Sequence, residues 1–376
     1  MTKDSEEPYF IIIDENSDFE IWATNGTGTL EDPYIIEGHT IHIPQDYPSY
    51  ISGIIQISDV TKHFIIQNNR ISANIHDINA HIYIYRVNSS FIIRNNTLSG
   101  WSRISPADSI HLRYCYIEGK GLICNNTFND SNLHFYQVKH IDIFNNTFFS
   151  ETEYSVWHGS NYAWQSSHII FSGNNFVNTA ILTQDVSNLT VQSNIFNHTL
   201  HEFHSSISSH YSTNTRYVNN TFINTGLSMG DSDYLSAHIE GNIVNGKPLG
   251  VFINQTNMII DNSTQYGQIK VLSCSHSMIS GQMIDNTSIS LSIMYCLNTT
   301  IFNCSFSNFR TGVYVGSSNA TEIIENEFIS PIYQDYAIDA DYANGLYLKR
   351  NIFGEFYTTL LLWYCTDVIE EDNIYL

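Results

Sequence analysis

Three pairs of apolar residues, Ile82/Ile84, Ile110/Leu112 and Leu133/Phe135, alternate with residues of a different kind. With the apolar members turned inward, as the two-residue rhythm of a strand requires, the outer face carries His81, Tyr83, Tyr85, His111, Arg113, His134 and Tyr136. These groups share a chemistry. Aromatic faces stack on the apolar faces of sugar rings, while imidazole and guanidinium groups bond hydroxyls or carboxylates. Trp157 and His158, in a long segment between two such strands, add to the same kind of surface, and the pair Trp157 and Trp164 reads as a lid or a platform. The plain alternative is that tyrosine and histidine simply tolerate an exposed pleated surface.

Carboxylates near these strands are Asp77, Asp108, Asp130, Glu151 and Glu153. Hydrolysis of a glycosidic bond needs two of them, roughly 5–9.5 Å apart, and Asp108, Asp130 and Glu153 are the candidates. The densest metal-like run is His198, His201 and His204, with His210 beyond. Imidazoles at this spacing suit copper or zinc on a helix or loop, but on a strand a spacing of three sends neighbours to opposite faces. Cys274, Cys296 and Cys365 hold equivalent places in their repeats, so Cys274 and Cys296 are expected on adjacent coils, within disulfide range or as stacked free thiols. Gly26 and Gly28 mark a turn without a helix to receive a phosphate.

The element that positions these residues is a repeat. Ile93-Arg94-Asn95-Asn96-Thr97-Leu98, Ile123-Cys124-Asn125-Asn126-Thr127-Phe128, Ile143-Phe144-Asn145-Asn146-Thr147-Phe148 and Tyr217-Val218-Asn219-Asn220-Thr221-Phe222 are copies of one phrase. Weaker copies run from Asn69 to Asn373, with a period of about 22 residues and insertions. Short strands at that period, with Asn at fixed turn positions, predict an all-β, single-stranded right-handed parallel β-helix of about thirteen coils, roughly 60 Å long. Asn tolerates the left-handed turn, and its amide can stack on the next in an asparagine ladder. Asn126 and Phe128 are therefore structural. The triplets at Asn95, Asn125, Asn145 and Asn219 also read as glycosylation acceptors.

Composition narrows the partners. The 376 residues include 15 Lys and Arg against 37 Asp and Glu, a net charge of −22, which excludes unaided binding to nucleic acid or an anionic membrane. No run approaches 18 apolar residues, so no membrane insertion by a helix is expected, and a monomer is. The acidic, polar start lacks a leader, which fits either a cytoplasmic protein or one whose signal is absent from this sequence.

The repeat resembles the right-handed parallel β-helix proteins grouped around NosD-type copper-binding accessory proteins and carbohydrate-binding and sugar-hydrolase domains. Gly26-Thr27-Gly28-Thr29 with Asp32-Pro33-Tyr34-Ile35-Ile36-Glu37 is similar to the opening of archaeal members, and Asn245-Gly246-Lys247-Pro248-Leu249 with Tyr266-Gly267-Gln268-Ile269 to an insertion they carry. The resemblance implies that the outward strand beside the variable loops (Ser99 to Ser109, Ser150 to Ser166, Asn197 to Ser212) forms the ligand face. Polygalacturonase-type markers are missing, since His158-Gly159 stands without companions. Asp339 and Asp341 with Lys349 or Arg350 make a thin version of a Ca²⁺-dependent lyase site. Expected domains are a cap over 1–44 and a β-helix over 45–376 with an insertion around 243–268. The leading expectation is an extracytoplasmic protein binding polysaccharide or another glycan. Its alternatives are a polysaccharide lyase or glycoside hydrolase, a copper-binding accessory protein, and a structural rod or adhesin.

Overall fold

The computed structural model describes residues 10–43, 51–73, 78–100, 108–151, 160–199, 205–329, 336–356 and 358–376. They form a nearly all-β solenoid of about 12 coils built from stacked parallel strands. Two compact units divide it. The first comprises Met1–Phe196, Ser209–Val218 and Ser236–His238, and the second Asn197–Ser208, Asn219–Leu235 and Ile239–Leu376.

In the first unit each coil crosses three sheets in turn, as in Asn132–Tyr136, Lys139–Phe144 and Thr147–Phe149. Each strand pairs in parallel with its counterpart one coil on, so that Leu112 meets Phe135, Ile123 meets Ile143, and Phe128 meets Phe148. Inward side chains thus form columns of like residues. Phe128, Phe148, Phe176 and Phe196 lie face to face at 4.5, 4.7 and 4.7 Å, close to the spacing of paired strands. At the start, Phe19 of the short helix Phe19–Trp22 is buried against Tyr34 at 4.8 Å and Phe64 at 5.6 Å. The first coil also draws on Ile11–Ile13, Tyr34–Glu37 and Thr40–Ile43, all paired with strands of the second.

The turn between the second and third sheets explains the doubled asparagine. Its first residue, as at Asn95, Asn125 and Asn145, holds a left-handed backbone with φ of 55°, 56° and 54°. Its second residue is buried. Asn69, Asn96, Asn126, Asn146, Asn174 and Asn194 stack so that each Nδ2 donates to the Oδ1 of the next at 3.0 Å. The same Oδ1 also accepts the backbone N–H of the preceding asparagine, as between Asn96 and Asn126 at 2.9 Å.

The second unit contains a hairpin, Ile243–Val244 against Lys247–Ile253, whose Asn245-Gly246 turn has positive φ at both positions, 49° and 78°. Beyond it, strands such as Gln268–Leu272, Met283–Met294 and Ser305–Gly316 stack in parallel. Asn326, Asn351 and Asn373 bond to one another at 3.1 Å. Cys274 and Cys296 are free thiols on adjacent coils, with the Cys274 N–H donating to Cys296 Sγ at 3.4 Å. Burial pushes the Cys296 thiol up to about 11, which keeps it inert. Lys270 is 1% exposed, and its Nζ donates to Ser292 Oγ at 2.8 Å. Burial lowers its pKa to about 7.

Two measurements of stability follow from this packing. Asn126→Ala strands buried groups of Asn96, Ile93 and Asn146 together and is expected to cost about 2–4 kcal/mol in urea unfolding. Asn125→Ala loses only left-handed tolerance, about 1 kcal/mol. Equal costs contradict the distinction between the two positions. For Lys270, the unfolded chain keeps the proton up to the ordinary lysine range, so the linked stability grows as pH rises from about 7 toward 10.5 and is lost as pH falls through 7. Lys270→Met is therefore expected to raise Tm by about 2–5 °C at pH 6, with a smaller gain near pH 10. A gain independent of pH speaks against a charge-based cost.

Candidate functional site

Strands Ile78–Tyr85, Asp108–Arg113, Asn132–Tyr136 and Ser160–Trp164 lie side by side in the first sheet of the first unit. Their inward residues Ile82, Ile84, Ile110, Leu112, Leu133, Phe135 and Ala163 are at most 1% exposed. This fixes the strands' faces. Outward, the register makes two columns: Tyr83, His111, His134 and Tyr162, and beside it Tyr85, Arg113, Tyr136 and Trp164.

The columns form a continuous strip of rings. Tyr83 meets the edge of His111 at 5.3 Å, His111 stacks on His134 at 4.4 Å with 13° between planes, and His134 meets Tyr162 at 5.4 Å. Tyr136 lies 5.2 Å from Trp164. Tyr114, at the left-handed corner after the strand, contacts both Tyr85 and Tyr136, at 5.8 and 5.3 Å. The Arg113 guanidinium rests over the Tyr114 and Tyr136 rings at 5.0 and 5.4 Å, with no carboxylate partner among the described residues. Its bond to the Tyr114 hydroxyl raises its pKa further above the ordinary arginine value. Burial raises the Tyr83 phenol, with Arg113 opposing, and burial then Asp185 raise Tyr162, so these phenols stay neutral hydrogen-bond donors near neutral pH. Carboxamides border the rings: Gln137 bonds Gln165 at 2.8 Å, Gln184 accepts from the Tyr162 hydroxyl at 3.3 Å, and the Trp164 indole donates to Asp185 at 3.3 Å.

The outward set expected from alternation is brought together here with one correction. His81 is 1% exposed, its Nδ1 3.2 Å from Ser109 Oγ, and a side chain added at Gly100 would meet its ring at 2.9 Å. The chain returning from the third sheet covers it, so it is no part of the open surface. Tyr162, Trp164 and Tyr114 join the strip beyond that set. Trp164 belongs to a strand and not to the long segment before it. The alternation there was masked by Ala163, a small inward residue with little hydrophobic signal. Trp157, His158 and Glu153 lie outside the described residues, as do His201 and His204.

Of the candidate carboxylates, Asp77, Glu153 and the side chain of Asp108 lie outside the described residues. Asp130 sits at a left-handed corner, with Oδ1 accepting from Ser150 Oγ at 3.1 Å and the Glu151 N–H at 2.7 Å. Asp108 occupies the start of its strand, paired with Ala80 and Asn132. His198 is buried just after the strand Ile195–Asn197, and among the described residues no three His, Cys, Asp or Glu side chains are placed to hold a metal. In the second unit Asp339 is raised to about 6 by burial and then by Asp341, against Arg310. Lys349 and Arg350 are instead paired with Glu371 at 2.7 Å and Glu325 at 2.5 Å. The acid–base set of a lyase is thereby split between two sheets.

No family model matches the chain, and no curated protein matches it. Among solved structures, the mannuronan C-5 epimerase AlgE6 A-module of Azotobacter vinelandii is 11% identical, covering 100% of this chain and 98% of its own, with a TM-score of 0.36. DFA-IIIase from Arthrobacter chlorophenolicus A6 without its lid is 11% identical over 89% and 88%, TM-score 0.34. PfbA, a surface adhesin of Streptococcus pneumoniae, is 10% identical over 88% and 85%, TM-score 0.34. Likenesses at this level do not speak to what this chain binds.

Proposed function

We propose that this protein binds carbohydrate along the outward face of the first sheet of its first unit, and that it meets that polysaccharide outside the cytoplasm. One observation carries the reading: four consecutive strands present two rings, or a ring and a guanidinium, side by side on the outward face, while the residues between them, Ile84, Leu112, Phe135 and Ala163, point inward and are at most 1% exposed. Rings in two parallel columns offer π faces and edges to the apolar faces of pyranoses. The phenols, the imidazoles, the bordering glutamines and the Arg113 guanidinium supply hydrogen bonds to hydroxyls at fixed intervals. A surface of this kind binds without needing to react. The monomer suffices for such binding, since the strip lies within one unit.

Native affinity electrophoresis against a panel of neutral and acidic polysaccharides tests this. At least one polymer is expected to retard the protein. Trp164→Ala and Tyr136→Ala are each expected to weaken that retardation about tenfold, while Tyr211→Ala, an exposed tyrosine outside the strip, leaves it unchanged. Strip variants that migrate like the unmutated protein in every gel would remove the proposal.

A further inference from the structure

A second concavity lies on the neighbouring sheet of the same unit. It is an open groove of about 540 Å³, lined chiefly by Glu118, Lys120, His140, Asp142, His168 and Asn188. Its wall is a bulge. Tyr116 pairs with Lys139 and Gly121 with Ile141, so residues 117–120 stand opposite His140 alone; Ile117 stays buried in the core, while Glu118, Gly119 and Lys120 form an exposed flap. Gly119 lets the flap come close to the sheet, since a side chain there would meet Ser90 Oγ at 2.2 Å.

The flap fixes the floor. His140 holds a left-handed backbone at φ 61° and donates Nδ1–H to the Ile117 carbonyl at 2.9 Å, which leaves Nε2 as an acceptor. The His168 ring follows at 4.9 Å, and Asn188 Nδ2 donates to His168 Nε2 at 3.3 Å. Lys120 Nζ bonds Asp142 Oδ2 at 2.8 Å, leaving Oδ1 without a protein partner among the described residues.

An internal control separates structure from function. His276 and Asn298 repeat the His–Asn stack in the second unit, at 3.1 Å and with the same left-handed corners, where the strands pair without an inserted flap. The stack alone is therefore a way of building the corner. What the groove adds is the flap, the fixed tautomer of His140 and the Lys120–Asp142 pair.

These additions define the ligand. Acceptors without a protein partner among the described residues dominate: His140 Nε2, Asp142 Oδ1 and the Glu118 carboxylate. The charges of Glu118, Lys120 and Asp142 sum to −1 in a chain of net −22, which disfavours an anion. We propose that this groove is a second binding site, distinct from the aromatic strip, for an uncharged, hydroxyl-rich ligand the size of one or two sugar residues. Its hydroxyls donate to His140 Nε2 and Asp142 Oδ1. The volume falls within the range of small-molecule sites, roughly 300–1,000 Å³.

Titration of the full chain with glucose, galactose, mannose and xylose, with glucuronate as the anionic counterpart, tests this through the imidazole ¹H–¹⁵N resonances of His140 and His168. At least one neutral sugar is expected to shift both rings saturably, and glucuronate to shift neither. His140→Ala and Asp142→Asn are each expected to weaken the binding about tenfold. Asp142→Asn keeps the side chain's shape and decides the matter if His140→Ala does not fold. Trp164→Ala, which disables the strip, is expected to leave this titration unchanged, so the two sites fail separately. No saturable shift with any neutral sugar, an equal response to glucuronate, or loss of the response in Trp164→Ala overturns the assignment.

Discussion

Parallel pairing in register is the constraint from which the rest follows. When a strand meets its counterpart one coil later with no offset, each side chain has an equivalent neighbour about 4.8 Å above and below it. A residue is then acceptable only if it stacks well on something like itself. Asparagine satisfies this with an amide that donates upward and accepts downward, as in the column from Asn69 to Asn194. Phenylalanine satisfies it with parallel rings, and the column from Phe128 to Phe196 keeps interplanar angles of 5–6°. Dispersion and hydrogen bonding act in the same direction here, which is how so repetitive a chain specifies one fold.

The same constraint explains why only 14% of the residues are charged. Like charges stacked at strand spacing repel, so a charged residue needs a neutral or opposite neighbour on the next coil. Arg86 pairs with Asp59 at 2.7 Å, Lys120 with Asp142 at 2.8 Å, and Lys349 with Glu371 at 2.7 Å, each between adjacent coils. Arg113 is solved differently, by resting on rings. Among the described residues that leaves its guanidinium without a carboxylate partner.

The fold was legible because a period is a global signal, summed over many coils, so individual irregular copies did not obscure it. The faces of the strip were legible for the same reason: Ile82, Leu112 and Phe135 declare the inward side of their strands, and Tyr83, His111 and His134 follow by parity. What parity cannot supply is the third dimension of cover. His81 obeys the alternation and is still buried, because the segment ending at Gly100 returns over it. Trp164 escaped for the opposite reason, since Ala163 is inward but barely apolar enough to mark the rhythm. The groove was invisible because its wall, residues 117–120, reads as a slightly long strand. Only the pairing of Tyr116 with Lys139 and Gly121 with Ile141 reveals four residues where one belongs.

Strip and groove ask different things of a ligand. Along the strip the chemistry repeats at every coil, so a polymer gains a contact for each coil it spans, and affinity accumulates with length up to the four coils available. A short sugar gains little there. The groove has no such repetition: its flap occurs at one coil, and its distinctive acceptors, His140 Nε2 and Asp142 Oδ1, belong to a single rung. A ligand there gains nothing from length and everything from matching one arrangement of donors. Regular stacking thus favours recognition of a repeating chain, whereas a local interruption of it is what makes room for recognition of a single residue.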